Sequence, residues 1–253
     1  MSARHKSPHI CCGALFTLLI LSICISCSAS LDGEIHSDGR TEFTLKSALL
    51  PNMERLLTSI SSKGGGHIFD AAMLNRNFAA MPGIEASALR SAGRGGLEGS
   101  IVVSSLTQFL DSAADTIASK TGGKKFSAIA LEHSAAGGSL TIDLNIDNGQ
   151  ELLLLISPDI VDYLSALMAP VATGEVIGRD AYLELVASVY GKAIADEIRG
   201  AQFLLNLVFP GSVESVNGGT GKGSHAKFTI PLADLLVLDR PLHYYVRWTP
   251  WRS

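Results

Sequence analysis

The chain has 253 residues, 47% of them hydrophobic and 17% charged, and its formal charge of −4 becomes −6 (18 basic against 24 acidic residues) once Arg4 and Lys6 leave with a leader. An acidic chain of this kind is not expected to bind nucleic acid, whose phosphates require a basic face. All four cysteines, Cys11, Cys12, Cys24 and Cys27, lie in the first thirty residues, so the remainder has no thiol for disulfides, nucleophilic catalysis or metal ligation and must be held by its core.

Arg4, His5 and Lys6 make a basic start, and Gly13 to Ile25 is an apolar run of thirteen residues that meets Ser26, Cys27, Ser28, Ala29 and Ser30. That layout is a secretory signal. A membrane-spanning helix needs about 20 apolar residues, and this run is shorter. The leader resembles a bacterial lipoprotein signal, in which a cysteine behind a small residue is acylated and the leader is cut away before it. Cys24 and Cys27 compete for the role. Ser26 before Cys27 is small whereas Ile23 before Cys24 is bulky, so residues 1–26 are expected to be the signal and Cys27 the lipidation site. The alternative is a plain secretory signal cut near Ala29, which would discard Cys27. Buried methylenes contribute about 0.8 kcal/mol each, so two or three acyl chains would hold the chain at a membrane.

No Pro- or Ser-rich linker divides the rest, and residues 27–253 are expected to form one domain. Leu31 to Ala48 predicts two strands around the Asp38-Gly39 turn. Pro51 then opens a helix carrying Met53, Leu56, Leu57 and Ile60 and stopped by Gly64-Gly65-Gly66; a weaker one spans Ile68 to Ala80. Ile84 to Arg90 and Gly96 to Val103 predict a second strand pair, followed by a helix capped by Ser104 or Ser105 and striped by Leu106, Phe109, Leu110, Ala113 and Ile117. After Thr121-Gly122-Gly123, strands are expected at Phe126 to Glu132 and Leu140 to Ile146. Asp147-Asn148-Gly149 is expected to turn into a central strand at Leu152 to Ile156.

Ser157-Pro158-Asp159 predicts a helix start with Ile160, Val161, Leu164, Leu167 and Met168 on one face. A longer helix is expected from Asp180 to Arg199, with Gly191 inside it marking close packing. The remainder predicts strands at Phe203 to Phe209, Ser212 to Val216, Ala226 to Pro231 and Leu242 to Trp248, with a short helical turn at Leu232 to Leu236. These blocks predict an α+β fold, an antiparallel β-sheet with helices packed mainly on one face.

Chemistry-bearing motifs are sparse. Asp143 to Gly149 places oxygens as a calcium loop does, but Asn148 and Leu154 stand where that loop needs Gly and Glu, so the acids are expected on the wet face of a strand. Gly218-Gly219-Thr220-Gly221-Lys222-Gly223-Ser224 lacks the Gly-Lys-Ser/Thr order of a phosphate loop and is expected to be a flexible hairpin loop, with Lys222 free to touch an anionic headgroup. Thr121 to Lys125 is expected to be a solvated turn. His36, His67, His133, His225 and His243 show no metal-ligand spacing, and no Gly-x-Ser-x-Gly elbow appears, so neither metal, cofactor nor enzymatic activity is expected. Tyr244, Val246 and Trp248 are expected on one face of the last strand and His243, Tyr245 and Arg247 on the other. That strand is expected at a sheet edge with one aromatic face in the core; the alternative is an interfacial face, with Tyr245, Arg247, Trp248 and Trp251 touching lipid.

Val208-Phe209-Pro210-Gly211-Ser212-Val213-Glu214-Ser215-Val216-Asn217-Gly218, followed by a strand and then Tyr245-Val246-Arg247-Trp248, resembles the LppM-like domain of bacterial lipoproteins. In that family a Phe-Pro-Gly turn, a valine strand, an Asn-Gly turn and a tryptophan strand close the sheet. The resemblance implies an envelope protein that binds glycolipid. The resulting expectation is a lipid-anchored protein of the bacterial cell envelope, partnered by the membrane through Cys27, that binds a lipid, glycolipid or other amphiphile. The competing expectation is an assembly module docking another envelope protein through a sheet edge or the aromatic C-terminal strand. No apolar span precedes Ser253, so the amino-terminal anchor is the attachment expected.

Overall fold

The computed structural model describes residues 28–60, 67–121, 123, 128–134, 137–153, 170 and 173–250. The leader, Cys27, the Gly64 to Gly66 stop, Lys124 and Lys125, the helix expected from Ile160 to Met168, and Trp251 lie outside them. The fold is α+β.

Strand β1 (Ser28–Ile35) turns at Asp38-Gly39 into β2 (Thr41–Ala48), and Asp38 Oδ1 accepts from Arg40 N at 3.0 Å. Helices α1 (Pro51–Ile60) and α2 (Ala71–Ala79) follow, then the hairpin β3 (Ile84–Ala92) and β4 (Gly96–Val103). Ser105 Oγ accepts from Gln108 N at 3.2 Å and so caps α3 (Leu106–Thr121). Next come β5 (Ile129–Ser134), β6 (Gly137–Leu144) and helix α4 (Ile146–Leu153). Helices α5 (Arg179–Tyr190) and α6 (Lys192–Gly200) precede β7 (Gln202–Val208), β8 (Gly211–Asn217), β9 (Gly219–Lys222) and β10 (His225–Pro231). A short helix α7 (Leu232–Val237) leads into β11 (Leu242–Pro250).

The strands form two sheets rather than one. Sheet A has seven strands in the order β3-β4-β2-β1-β7-β10-β9, and sheet B has four in the order β5-β6-β11-β8. All pairs are antiparallel except β1 with β7, where Ser28 stands opposite Gln202 and Glu34 opposite Val208. This parallel seam makes β1 the central strand of sheet A. Inward residues of both sheets and the apolar stripes of the helices form one hydrophobic cluster, from Ala29 and Leu31 through Ile117 to Val246 and Trp248.

Four local expectations change. The polar run at Asp147-Asn148-Gly149 is the first turn of α4, not a turn into a strand. Asn145 Oδ1 accepts from the amides of Asp147 (3.0 Å) and Asn148 (3.1 Å), and Asn148 Oδ1 accepts in return from Asn145 N (2.8 Å). This reciprocal cap satisfies donors that a helix start leaves open, and it puts Leu152 and Leu153 in a helix. The helix expected from Asp180 to Arg199 is broken at Gly191, whose φ of 96° and ψ of 151° leave the helical region. No atom lies within 4 Å of a Cβ built there, so the glycine serves the break and not close packing. The glycine loop after Asn217 holds strand β9, paired to β10 from Gly219↔Phe228 to Lys222↔His225. Finally, β11 is an inner strand, between β6 and β8, so it is not a sheet edge.

Candidate functional site

Alternation along β1 turns Ala29, Leu31, Gly33 and Ile35 inward, and the inner faces of the two sheets border a partly open cavity of about 90 Å³. Leu31 and Ile35 of β1, Phe43 and Leu45 of β2, Ile101 of β4, and Leu205 and Leu207 of β7 line it on one side. Ile129, Leu140 and Ile142 line it from sheet B, and Leu106, Phe109 and Leu110 from α3. Gly33 sits opposite both Phe43 and Leu207. A Cβ on it would come within 2.8 Å of Phe43 Cε1 and of Leu207 Cδ2, so these two side chains occupy the place a larger residue would take.

All thirteen lining side chains are hydrocarbon. The space therefore offers no proton donor, nucleophile or metal ligand, and what it provides is an apolar solvent. An apolar cavity of about 150 Å³ takes up benzene. The smaller one here matches a short run of methylenes.

A second concavity, of about 490 Å³, opens beside Glu132, Ser134, Ser139, Tyr245 and Arg247, with His133 and Trp248 behind them. Parity along β11 places Tyr245 and Arg247 on the outer face of sheet B. Arg247 Nε faces Glu214 Oε2 at 3.5 Å, Ser139 Oγ donates to Glu132 Oε2 at 3.3 Å, and His243 bonds Asp143 across the strands. Trp248 points the other way and is only 1% exposed. It stacks on Phe209 with ring centres 4.5 Å apart, and its outer ring edge fills the space over Gly138, where a Cβ would lie 2.3 Å from Cζ2. Trp248 is thus a core residue, and the face shared by Tyr244, Val246 and Trp248 is the buried one.

His133 Nε2 donates to the Ser37 carbonyl at 3.0 Å, which fixes this end of sheet B against the β1–β2 turn. His36 Nε2, His133 Nδ1 and the Trp248 indole nitrogen have no hydrogen-bond partner among the described residues. Lys222 is exposed at the end of β9. Register carries it from His225 to Val208 and on to Glu34, the far end of β1 from Ser28. Lys222 and Trp248 therefore share the Ile35 end of the molecule, roughly 20 Å along the strands from Ser28 at about 3.3 Å per residue.

The residues of the calcium-like string are dispersed among other partners. The Asp143 carboxylate binds His243, and the side-chain oxygens of Asn145 and Asn148 accept from backbone amides. Among the described residues no group of three or more His, Cys, Asp or Glu side chains could hold a metal ion, and no helix is long and apolar enough to cross a membrane.

Sequence reasoning missed one buried charged cluster. Asp234 in α7 is buried and takes Arg179 Nη1 and Arg240 Nη2, each at 3.2 Å, on its two oxygens. Burial pushes the nearby Tyr244 phenol above its ordinary value, and the Asp234 carboxylate adds to the rise.

No family model matches the chain, and no curated protein does. Among solved structures it is similar to the folded domain of LppM from Mycobacterium tuberculosis, determined by NMR, with a TM-score of 0.40 and 13% identity over 88% of this chain and 89% of that one.

Proposed function

We propose that the chain is a lipoprotein of the bacterial cell envelope, cut before Cys27 and acylated there, whose domain binds a lipid, glycolipid or other amphiphile by an apolar segment held between its two sheets. The basic start, the short apolar run and Ser26-Cys27 support the anchor. The observation that carries the binding reading is the cavity lined by hydrocarbon alone. Its present volume falls below the roughly 300–1,000 Å³ of sites that enclose a whole ligand. Uptake of an acyl chain therefore requires the space between the sheets and α3 to widen, with affinity coming from the apolar area then covered. No catalysis and no cofactor form part of the proposal.

The competing reading is an assembly module that docks a protein at a sheet edge. The edges on offer are β3 and β9 in sheet A and β5 and β8 in sheet B. The hydrocarbon-lined cavity between the sheets favours the amphiphile.

Native mass spectrometry of the full mature protein, mixed with envelope lipid extract, tests the reading. A retained lipid adduct is expected, and its absence at saturating lipid counts against binding. Cys27→Ser tests the anchor separately: loss of acylation and of membrane retention is expected, and unchanged retention with acylation would sink the assignment.

A further inference from the structure

Ser28 is the first residue of β1, and β1 is the central strand of the seven in sheet A. It is hydrogen-bonded into that sheet from its first residue, opposite Ala48 on one side and Gln202 on the other. Residue 27 precedes it by one peptide link, about 3.8 Å between Cα atoms. An acyl-bearing Cys27 thus has no spacer between lipid and sheet, and a central strand cannot peel away to supply one.

We propose that the Ser28 end of sheet A rests on the headgroup layer of the membrane that holds Cys27, with anionic lipid headgroups as its partner. The inference depends on acylation of Cys27 as proposed above. Register defines the surface: Ala92, Gly96, Ala48, Ser28, Gln202 and Pro231 stand in one row across six strands. None of these carries a charge, and most are small, so the row can approach headgroups without repulsion.

Cations stand just behind it. Lys46 lies opposite Ser30, and Arg94 is exposed in the β3–β4 turn; neither has a carboxylate partner among the described residues. Glu98, which faces Lys46 across the strands, is taken by Arg90 at 2.9 Å. A groove of about 540 Å³ bordered by Ser30, Lys46, Glu98 and Gln202 leaves room for a headgroup beside the tether. At the opposite end acids outnumber cations: Glu34 faces Glu42 across β1 and β2, Glu85 joins Glu42 on Arg40, and Asp38 stands in the turn, against Arg40 and Lys222. An anionic membrane attracts the first end and repels the second.

The orientation turns Lys222 and the Tyr245–Arg247 cleft away from the membrane and toward the aqueous side. Neither is then a lipid contact of the anchored protein.

The mature chain has no thiol besides Cys27, which acylation blocks, so single cysteines can be labelled cleanly. Gln202→Cys and Ser37→Cys, both at exposed positions, mark the two ends. Each full-length acylated protein would carry a fluorophore in vesicles of phosphatidylglycerol and phosphatidylcholine doped with headgroup-nitroxide lipid. Loss of most of the fluorescence at position 202 with none at 37 is expected, and Lys46→Glu with Arg94→Glu should restore much of it. Equal quenching at the two positions, or more at 37, overturns the orientation. Undiminished quenching on phosphatidylcholine alone overturns the anionic partner. Intact mass separates the two readings, because an unacylated mature protein removes the tether and this inference with it, whereas acylated protein with unordered quenching removes the inference alone.

Discussion

Phe43 leans across Gly33 on the neighbouring strand, its Cε1 2.8 Å from where a Cβ would stand. Phe43 and Leu207 both line the apolar cavity, so an added methyl pushes them toward empty space and not into a packed core. Gly33→Ala should therefore change stability by less than about 1 kcal/mol, the entropy removed from the unfolded chain offsetting the crowding. The displaced side chains fill the space an acyl chain would use. Lipid retained in native mass spectra should fall while the urea midpoint holds; undiminished retention would show that the cavity is not the binding site.

Helix α1 begins behind Leu50, whose side chain has no oxygen to cap it, and Glu54 N makes the first bond back to the Leu50 carbonyl at 2.9 Å. Pro51 has no N–H. The open amides of Asn52 and Met53 are met from α6 by the two oxygens of Glu197, each at 2.9 Å, with Asn52 Nδ2 adding a third bond at 2.6 Å. Glu197→Ala should cost about 2 kcal/mol and Glu197→Gln about half that, since the amide keeps one acceptor but no charge. Urea unfolding reads the cost, and faster hydrogen exchange at the Met53 amide reads its place. Unchanged exchange would remove the cap from the account.

Asp234 is buried while its partners Arg179 and Arg240 are 45% and 68% exposed, which makes the cluster asymmetric. Removing the acid leaves two arginines that water can solvate. Removing both arginines leaves a carboxylate stranded in the core. Asp234→Asn should accordingly cost about 1 kcal/mol and the Arg179→Ala, Arg240→Ala pair about 3 kcal/mol. Thermal and urea unfolding at neutral pH measure both, and a larger loss from the single acid change would reverse the assignment of the buried charge.

What was legible in the chain follows the range of the interactions involved. The hairpin at Asp38-Gly39 and the stripe of α3 rest on neighbours a few residues apart, and both stand where expected. Parity in the last strand likewise grouped Tyr244, Val246 and Trp248, although only the packing of sheet B decides that their face is the buried one. Asp147-Asn148-Gly149 reads as a turn because Asn, Asp and Gly serve turns and helix starts alike. The distinguishing signal was Asn148 three residues after Asn145, the spacing of a reciprocal cap.

The parallel β1–β7 seam joins strands from opposite parts of the chain and leaves no local trace. Nor does the cavity, whose lining comes from sheet A, sheet B and α3 and is brought together only by the tertiary fold. Lys222 stands out in the sequence for its charge and the glycines around it. Its position at the end remote from Ser28 depends on three successive strand registers, which no motif encodes.

Tyr244 provides a pH-dependent test of the packing around Asp234. Its phenol is raised above the ordinary value near 10 first by burial and then by the Asp234 carboxylate, while Arg240 opposes the rise. A raised phenol means that the folded protein keeps a proton the unfolded chain releases. The stability this provides is complete below about pH 10 and is lost as pH climbs from there through the raised folded value, by up to about 1.4 kcal/mol per pH unit for one proton. Tyr244→Phe keeps the ring, which meets Phe228 edge-on at 5.8 Å, and removes the titration. The variant should match the parent at neutral pH and exceed it in urea midpoint at strongly alkaline pH. Parallel pH profiles for the two proteins would mean that the phenol reaches water, and that α7 does not seal this end of the core.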